Sequence, residues 1–302
     1  MSQKHPLLTI AIPTYNRGHV LPKTVLFFIQ NILENNLQDK VTLLVSDNAS
    51  PDNTGEELAK IKQTYPSLIT CHRQSENVGY ANNVLWLLEN CQTPYIWTVG
   101  DDDIYKPEAL PTIIKNLKTE NLDVLFLNCE YPHGSKYELG KKETQEYTAS
   151  LEEIIHIPND QVTYMSLNVA KTDLLKNAPY SSPNWILFDK IIHFPPTGKA
   201  KFLPQPFVRY ASAGTESNWK DNPAKMASFC LEFLNLLLSE HENPLVKGFL
   251  KKSTEEFLFL LINSLKLMNI QDRYQQKYLK YLLYTRILAV VAILLFIALC
   301  FK

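Results

Sequence analysis

Three adjacent carboxylates, Asp101, Asp102 and Asp103, follow directly on an apolar stretch in "YIWTVGDDD". Charges of one sign held so close repel one another. Either water surrounds a solvated acidic turn, or a cation sits among the three. In extended backbone alternate side chains share a face, so Asp101 and Asp103 converge while Asp102 points away. Two carboxylates on one side form a hard, oxygen-only pair suited to Mg2+ or Mn2+ held jointly with substrate phosphates. Asp47 closes "VTLLVSD". There a carboxylate accepts a hydrogen bond from a base N–H or a ribose hydroxyl, or merely begins a turn. Tyr15, in "IAIPTYNR", offers a ring face or packs. Gly79, in "ENVGYANN", allows close backbone approach beside a positive helix N-terminus, or serves only the turn.

Such residues need elements that bring them together. "LLTIAIPTY" (7–15), "VTLLVSD" (41–47), "LITCHR" (68–73), "YIWTV" (95–99) and "DVLFLNCEY" (123–131) read as buried strands. Between them "VLPKTVLFFIQNILENN", "GEELAKIKQTY", "YANNVLWLLENC" and "PEALPTIIKNLKT" read as helices, the first with Pro22 in its opening turn. The alternation predicts an α/β fold with a Rossmann-like, mostly parallel sheet and flanking helices. In such sheets ligands bind outside the carboxyl ends of the strands. Thr14-Tyr15-Asn16, Asp47-Asn48, Arg73 and Asp101 to Asp103 all fall there. Residues 132–150 are polar and aperiodic, and 151–215 hold short mixed segments ending in the strand-like "KFLPQPFVRYA". From about residue 222 the pattern turns helical, which predicts an α/β domain over 1–218, a helical region over 219–280 and a terminal helix over 281–302.

Composition narrows the function classes. A chain of 302 residues with 45% hydrophobic residues has room for a large core, and a net charge of −1 gives no support for a nucleic-acid partner. Five scattered cysteines without a CxxC pair argue against structural zinc and fit a reducing compartment. His133, His156 and His193 lack partners at ligand spacing. "ILAVVAILLFIALCF" (287–301) is an apolar run with Lys277, Lys280 and Arg286 before it, which predicts a membrane-anchoring helix or else a buried one.

Four motifs carry a specific resemblance. "LTIAIPTYNR", "LLVSDNASPDNT", "ENVGYANN" and "TVGDDD" occur in the order and spacing of family 2 glycosyltransferases with the GT-A fold. The chain resembles most the bacterial members that build O-antigen or capsular polysaccharide, abequosyltransferase-like enzymes included, over roughly residues 5–215. The resemblance implies that Pro13, Thr14 and Tyr15 line the nucleotide pocket, that Asp47 contacts the base, and that Asn77, Gly79 and Asn82 lie beneath the nucleotide. It implies that Asp101 and Asp103 hold Mg2+ or Mn2+ on the diphosphate, with Asp101 and Asp102 against the nucleotide sugar. Such enzymes are generally inverting, so a carboxylate takes the acceptor's proton. Asp189 in "NWILFDK" is the candidate, with Phe188 where an acidic partner is usual, and Trp185 nearby suits stacking on the acceptor sugar. The processive QxxRW motif is missing, since "QPFVRY" has one residue too many and Tyr for Trp.

The implied activity is transfer of a single sugar from a nucleotide-diphosphate donor to a lipid-linked glycan. The implied place is the cytoplasmic face of the bacterial inner membrane, anchored by the terminal helix. Two rival readings are a nucleotidyltransferase, for which "PTYNRGHV" supplies no glycine- and lysine-rich loop, and a non-catalytic nucleotide-sugar-binding membrane subunit.

Overall fold

Every residue of β1 (Leu8–Thr14) is buried, as expected of a strand covered on both faces. A computed structural model of the chain describes residues 6–130, 145–154, 163–209 and 223–250. In it β1 lies parallel to β2 (Val41–Asp47) on one side and to β4 (Tyr95–Thr98) on the other. The register sets Thr14 beside Asp47, and β3 (Ile69–Arg73) adds Arg73 beside Asp47. Strand order reverses between β1 and β4, and in open sheets a crevice forms at such a point.

The crossovers are helices α1 (Leu21–Glu34), α2 (Thr54–Thr64) and α3 (Gly79–Asn90), and α4 (Ala109–Thr119) follows the acidic turn. Pro22 sits in the first turn of α1, where a missing N–H costs no hydrogen bond. Leu21, Val25, Phe28, Ile29 and Ile32 recur at helical spacing and form the buried face of α1. Phe28 meets Trp97 edge-on with centroids 5.5 Å apart, and Tyr105 contacts both rings. This aromatic floor supports the acidic turn from below, because Tyr105 follows Asp103 by two residues.

The sheet departs from simple alternation after β4. Its order is β3-β2-β1-β4-β8-β6-β9-β5, with β7 also on β9. Here β5 is Ile104–Tyr105, β6 Val124–Glu130, β7 Tyr147–Ser150, β8 Asn168–Lys171 and β9 Lys199–Arg209. Strand β8 inserts antiparallel between β4 and β6. The strand-like "KFLPQPFVRYA" becomes β9, parallel to β6, and its register slips near Asn128 opposite Pro206. Proline donates no ladder hydrogen bond, so irregular pairing there is the expected local outcome. Short helices α5 (Leu151–Ile154), α6 (Thr172–Asn177) and α7 (Ile186–Ile191) complete this part. The mixed, mostly parallel sheet with flanking helices is the architecture expected from the sequence.

Residues 1–217 and 218–302 form two compact units. In the second, α8 (Pro223–Ser239) brings Phe233 edge-on to Phe249 at 5.9 Å. The expected localisation through a C-terminal membrane anchor is corrected by the structure: among the described residues no helix is long and apolar enough to cross a membrane. The apolar run itself, within 281–302, lies outside the described residues, as do His133 and His156.

Candidate active site

Two loops leaving the sheet define the first part of the site. Both bend through left-handed backbone at a non-glycine residue, Asn16 (φ 58°) after β1 and Ala49 (φ 57°) after β2. Asparagine visits that region at low cost, whereas alanine is strained by about 1 kcal/mol. The bends are tied together: the Asn16 N–H donates to Ser50 Oγ at 2.8 Å, and the Asn48 N–H to the Thr14 carbonyl at 2.9 Å. Asn48 then reaches the next loop. Its Nδ2 donates to Asn77 Oδ1 at 3.0 Å, and its Oδ1 accepts the Val78 N–H at 2.9 Å. Gly79 adopts φ 82°, which explains glycine at the start of α3.

These contacts frame a cavity of about 210 Å³ lined by Pro13, Thr14, Tyr15, Asn48, Asn77, Tyr80 and Asn83. Tyr15 and Tyr80 are 45% and 42% exposed, so each presents ring surface to a ligand. Asn83 lines the cavity and its amide brackets Ser46, accepting from Oγ at 2.7 Å and donating to the carbonyl at 3.0 Å. Asn82, the position named from the sequence, instead donates to the Val78 carbonyl on an exposed part of the helix. Neighbouring helical residues point about 100° apart, so one step along α3 exchanges surface for cavity.

Asp47 is only 1% exposed and its oxygens are already engaged. Oδ1 accepts the Ser50 N–H at 2.9 Å, and Oδ2 accepts Arg73 Nη1 at 2.7 Å. A second Arg73 nitrogen, Nη2, donates to the Ser50 carbonyl at 2.7 Å. Asp47 therefore organises the loop, and Asn48 is the neighbour that faces the cavity.

The acidic turn forms the second part. Asp101 and Asp103 are buried and Asp102 is the more accessible. Thr14 Oγ1 donates to Asp101 Oδ2 at 2.7 Å, and Thr24 Oγ1 of α1 to the Asp101 carbonyl at 2.8 Å. Arg17 lies 3.5 Å from Asp101 and 3.9 Å from Asp102. Asp103 is embedded in hydroxyls. Tyr164 Oη donates across both its oxygens at 2.6 and 2.8 Å, and Ser166 Oγ donates to Oδ2 at 2.6 Å. Ser166 also accepts the Gly100 N–H at 2.9 Å, while its carbonyl accepts the Trp97 indole N–H at 2.8 Å. Burial holds the Tyr105 phenol well above its ordinary pKa, so it stays a donor, here to the Gly100 carbonyl at 2.9 Å.

Burial pushes the Asp101 carboxyl up to about 6; Thr14 and Arg17 pull the other way, and Asp102 and Asp103 add to the rise. A carboxyl raised above its unfolded value stabilises the fold only at low pH, and that contribution is lost as pH rises through about 6. Asp101→Asn is therefore expected to stabilise the metal-free protein at pH 8 by about 3 kcal/mol, with the gain vanishing near pH 4. Urea unfolding of both proteins at the two pH values checks this, and equal stability at pH 8 would contradict it.

These hard oxygen donors fit a divalent cation whose shell is completed by phosphate oxygens, because a cation offsets the clustered charge. Ligating carboxylates are themselves usually hydrogen-bonded, as Asp101 and Asp103 are by Thr14, Tyr164 and Ser166. Among the described residues no group of three or more His, Cys, Asp and Glu side chains is arranged to hold a metal unaided.

Asp189 lies on α7 and is fully buried. Its Oδ2 accepts the backbone N–H groups of Ser181 and Ser182 at 2.6 and 2.7 Å. Its Oδ1 has no hydrogen-bond partner, with His193 Nδ1 3.6 Å away. Trp185, half-buried, ends the 3-10 turn Pro183–Trp185 just before this helix.

Sequence reading missed Tyr164 and Ser166 because they lie 61 and 63 residues beyond Asp103 in a segment without periodicity. Arg17 lies within "LTIAIPTYNR", and a cation three residues after Thr14 is the sequence signal that points to it.

Residues 9–172, more than half of the chain, match the family model described as Glycosyl transferase family 2. The chain belongs to this family. Abequosyltransferase RfbV of Salmonella typhimurium is 34% identical over 104 residues, which is 34% of this chain and 30% of the relative. The processive diacylglycerol beta-glycosyltransferase of Mycoplasma pneumoniae is 29% identical over 124 residues, 40% of this chain and 35% of the relative. The chain thus spans about a third of the length of these curated relatives. Among solved structures, S. aureus TarS residues 1–349 superimposes with a TM-score of 0.58 at 16% identity, covering 94% of this chain and 81% of that one. Mannosyltransferase PcManGT from Pyrobaculum calidifontis, in complex with GDP-Man and Mn2+, gives 0.57 at 15%, covering 96% and 86%. At such identity the likeness is one of fold. This family 2 glycosyltransferase has the GT-A architecture.

Proposed function

We propose that the chain is an inverting glycosyltransferase that moves one sugar from a nucleotide-diphosphate donor to a hydroxyl of a lipid-linked glycan, of the kind assembled into O-antigen or capsule. The observation that carries this reading is the position of Thr14. Thr14 lines the cavity and its hydroxyl holds Asp101, so the cavity and the acidic turn share one residue as a common wall. A nucleoside among Tyr15, Asn48 and Tyr80 would place its diphosphate toward Asp101 to Asp103. The solved neighbours hold UDP-GlcNAc in TarS and GDP-Man with Mn2+ in PcManGT, which supports a donor of this class.

In this reading Tyr15 and Tyr80 stack on or flank the base, and the amides of Asn48, Asn77 and Asn83 accept and donate to it. Gly79 lets the chain turn close beneath the nucleotide, with Pro13 in the wall beside it. Asp47 fixes the loop through Arg73. Asp101 and Asp103 hold Mg2+ or Mn2+, and Asp102, the accessible member, contacts the sugar. When bound, the metal supplies positive charge that offsets the negative charge gathering on the departing diphosphate. Asp189 takes the proton of the attacking acceptor hydroxyl, which displaces the diphosphate in line from the anomeric carbon, and Trp185 stacks on the acceptor. The base role requires the buried Oδ1 to be uncovered when acceptor binds; catalytic contacts often tighten only in the substrate complex.

The test is to offer purified protein a panel of nucleotide sugars with Mn2+ and a lipid-linked acceptor, following release of nucleotide diphosphate. One donor is expected to turn over. Asp103→Ala is expected to lose the Mn2+-dependent part of nucleotide binding. No turnover of any donor, with Asp103→Ala binding nucleotide as wild type does, would refute the catalytic reading. Product with more than one added sugar would refute single transfer.

A further inference from the structure

Arg17 and Arg73 both face carboxylates of this site, and they are held in different ways. Arg73 is locked, with one nitrogen 2.7 Å from Asp47 Oδ2 and another 2.7 Å from the Ser50 carbonyl. Arg17 is loose. Its Nε lies 3.5 Å from Asp101 Oδ1, and its Nη2 lies 3.9 Å from Asp102 Oδ2. Charge-assisted hydrogen bonds between such groups run at about 2.7–2.9 Å, so the Arg17 contacts are attraction without a formed hydrogen bond.

The backbone beneath this loose side chain is fixed. The Arg17 N–H donates to Thr54 Oγ1 at 2.9 Å, and its carbonyl accepts the Val20 and Leu21 N–H groups, each at 2.9 Å. Next to it the Gly18 N–H donates to Asp52 Oδ2 at 2.9 Å. Gly18 is closely packed as well, since a Cβ there would lie 2.0 Å from Asn53 Oδ1. Movement is thereby confined to side-chain torsions, which carry the guanidinium on or off the carboxylates without disturbing the loop. One partner, Asp101, is a proposed holder of the cation, and the other, Asp102, adds to the negative charge that a bound cation would offset.

We propose that Arg17 is the resident counter-cation of the acidic turn. Its guanidinium balances Asp101 and Asp102 while no divalent cation is bound, and it competes with such a cation for Asp101. The inference rests on the reading of this turn as the place where a metal meets the donor's diphosphate. Competition is reciprocal: a group that a metal must displace lowers the metal's affinity, and removing the group restores it.

The full-length protein and its Arg17→Gln and Arg17→Lys variants, checked for fold by circular dichroism, are titrated with Mn2+ alone and the free ion is followed by electron paramagnetic resonance. Arg17→Gln is expected to bind Mn2+ about tenfold more tightly than wild type, within the range usual for coupling between two binding events. Arg17→Lys keeps the charge, and its affinity is expected to stay within about twofold of wild type. Equal or weaker binding by folded Arg17→Gln overturns the proposal, as does an Arg17→Lys affinity raised as far as that of Arg17→Gln. Repeating the titrations with UDP or GDP present separates the two layers. If no protein binds Mn2+ with or without nucleotide, the metal reading of the turn falls and the Arg17 proposal falls with it. Normal Mn2+ binding by wild type with no change on substitution removes Arg17 alone.

Discussion

Asp189→Asn is expected to lower kcat about 10²–10⁴-fold with little change in stability, the loss typical of a missing general base. Asparagine fills the same volume, and its single carbonyl oxygen can still accept the Ser181 and Ser182 N–H groups now held by Asp189 Oδ2. What it cannot do is take up a proton at the other position. Asp189→Ala removes both capacities. Two backbone donors are left without their acceptor, which costs about 1–3 kcal/mol in addition to activity. The two variants thus separate chemistry from anchoring. Steady-state kinetics beside urea unfolding reads the difference. Full activity in Asp189→Asn would show that the residue only anchors the 181–182 turn, and the base would then have to be sought elsewhere.

Ser166→Ala has the second largest expected effect, because one hydroxyl joins three parts of the site. It accepts from the Gly100 N–H, donates to Asp103, and lies 3.2 Å from the Tyr105 hydroxyl. The residue is fully buried, so water does not readily replace the lost bonds. A loss of about 2–3 kcal/mol in unfolding free energy is expected, together with weaker metal-dependent nucleotide binding. Tyr164→Phe is milder for stability, since Tyr164 is only part-buried, yet it removes a donor that spans both oxygens of Asp103. Its expected signature is a lost metal-dependent increment in nucleotide affinity while metal-free binding stays near wild type. Calorimetric titration of UDP or GDP with and without Mn2+ distinguishes these outcomes. An unchanged increment in Tyr164→Phe would mean that the hydroxyl does not orient Asp103.

The parts of this molecule legible in the sequence are those built from local pattern. Strands β1 to β4 and helices α1 to α4 announce themselves by runs of apolar residues and by helical periodicity, and their carboxyl ends place Thr14, Asp47 and Asp101 side by side. The antiparallel insertion of β8 was not legible. Its four residues, Asn168–Lys171, are too short to show a period, and their placement is decided by pairing with Tyr95–Trp97 and Val124–Phe126. Site detail failed for related reasons. Asn82 and Asn83 are indistinguishable by type, and only the helix phase set by the buried residues Val84 and Leu87 turns Asn83 inward. Asp47 reads as a ligand-facing acid, and only the pairing of β3 beside β2 brings Arg73, 26 residues on, to its Oδ2. The membrane expectation rested on one apolar run, and hydropathy alone does not say what such a run packs against.

Because β8 enters between β4 and β6, the two halves of the site must become ordered at different stages as the chain folds. The cavity uses residues from 13 to 83 and closes through contacts among neighbouring crossover units. The acidic turn is finished only when residues 164–166 arrive more than sixty positions later. Contacts so distant in sequence form slowly, since a long loop must close before they are rewarded. A chain emerging from the ribosome would shape the cavity well before Asp103 receives its hydroxyl donors, so the two halves of the site would be completed in sequence order.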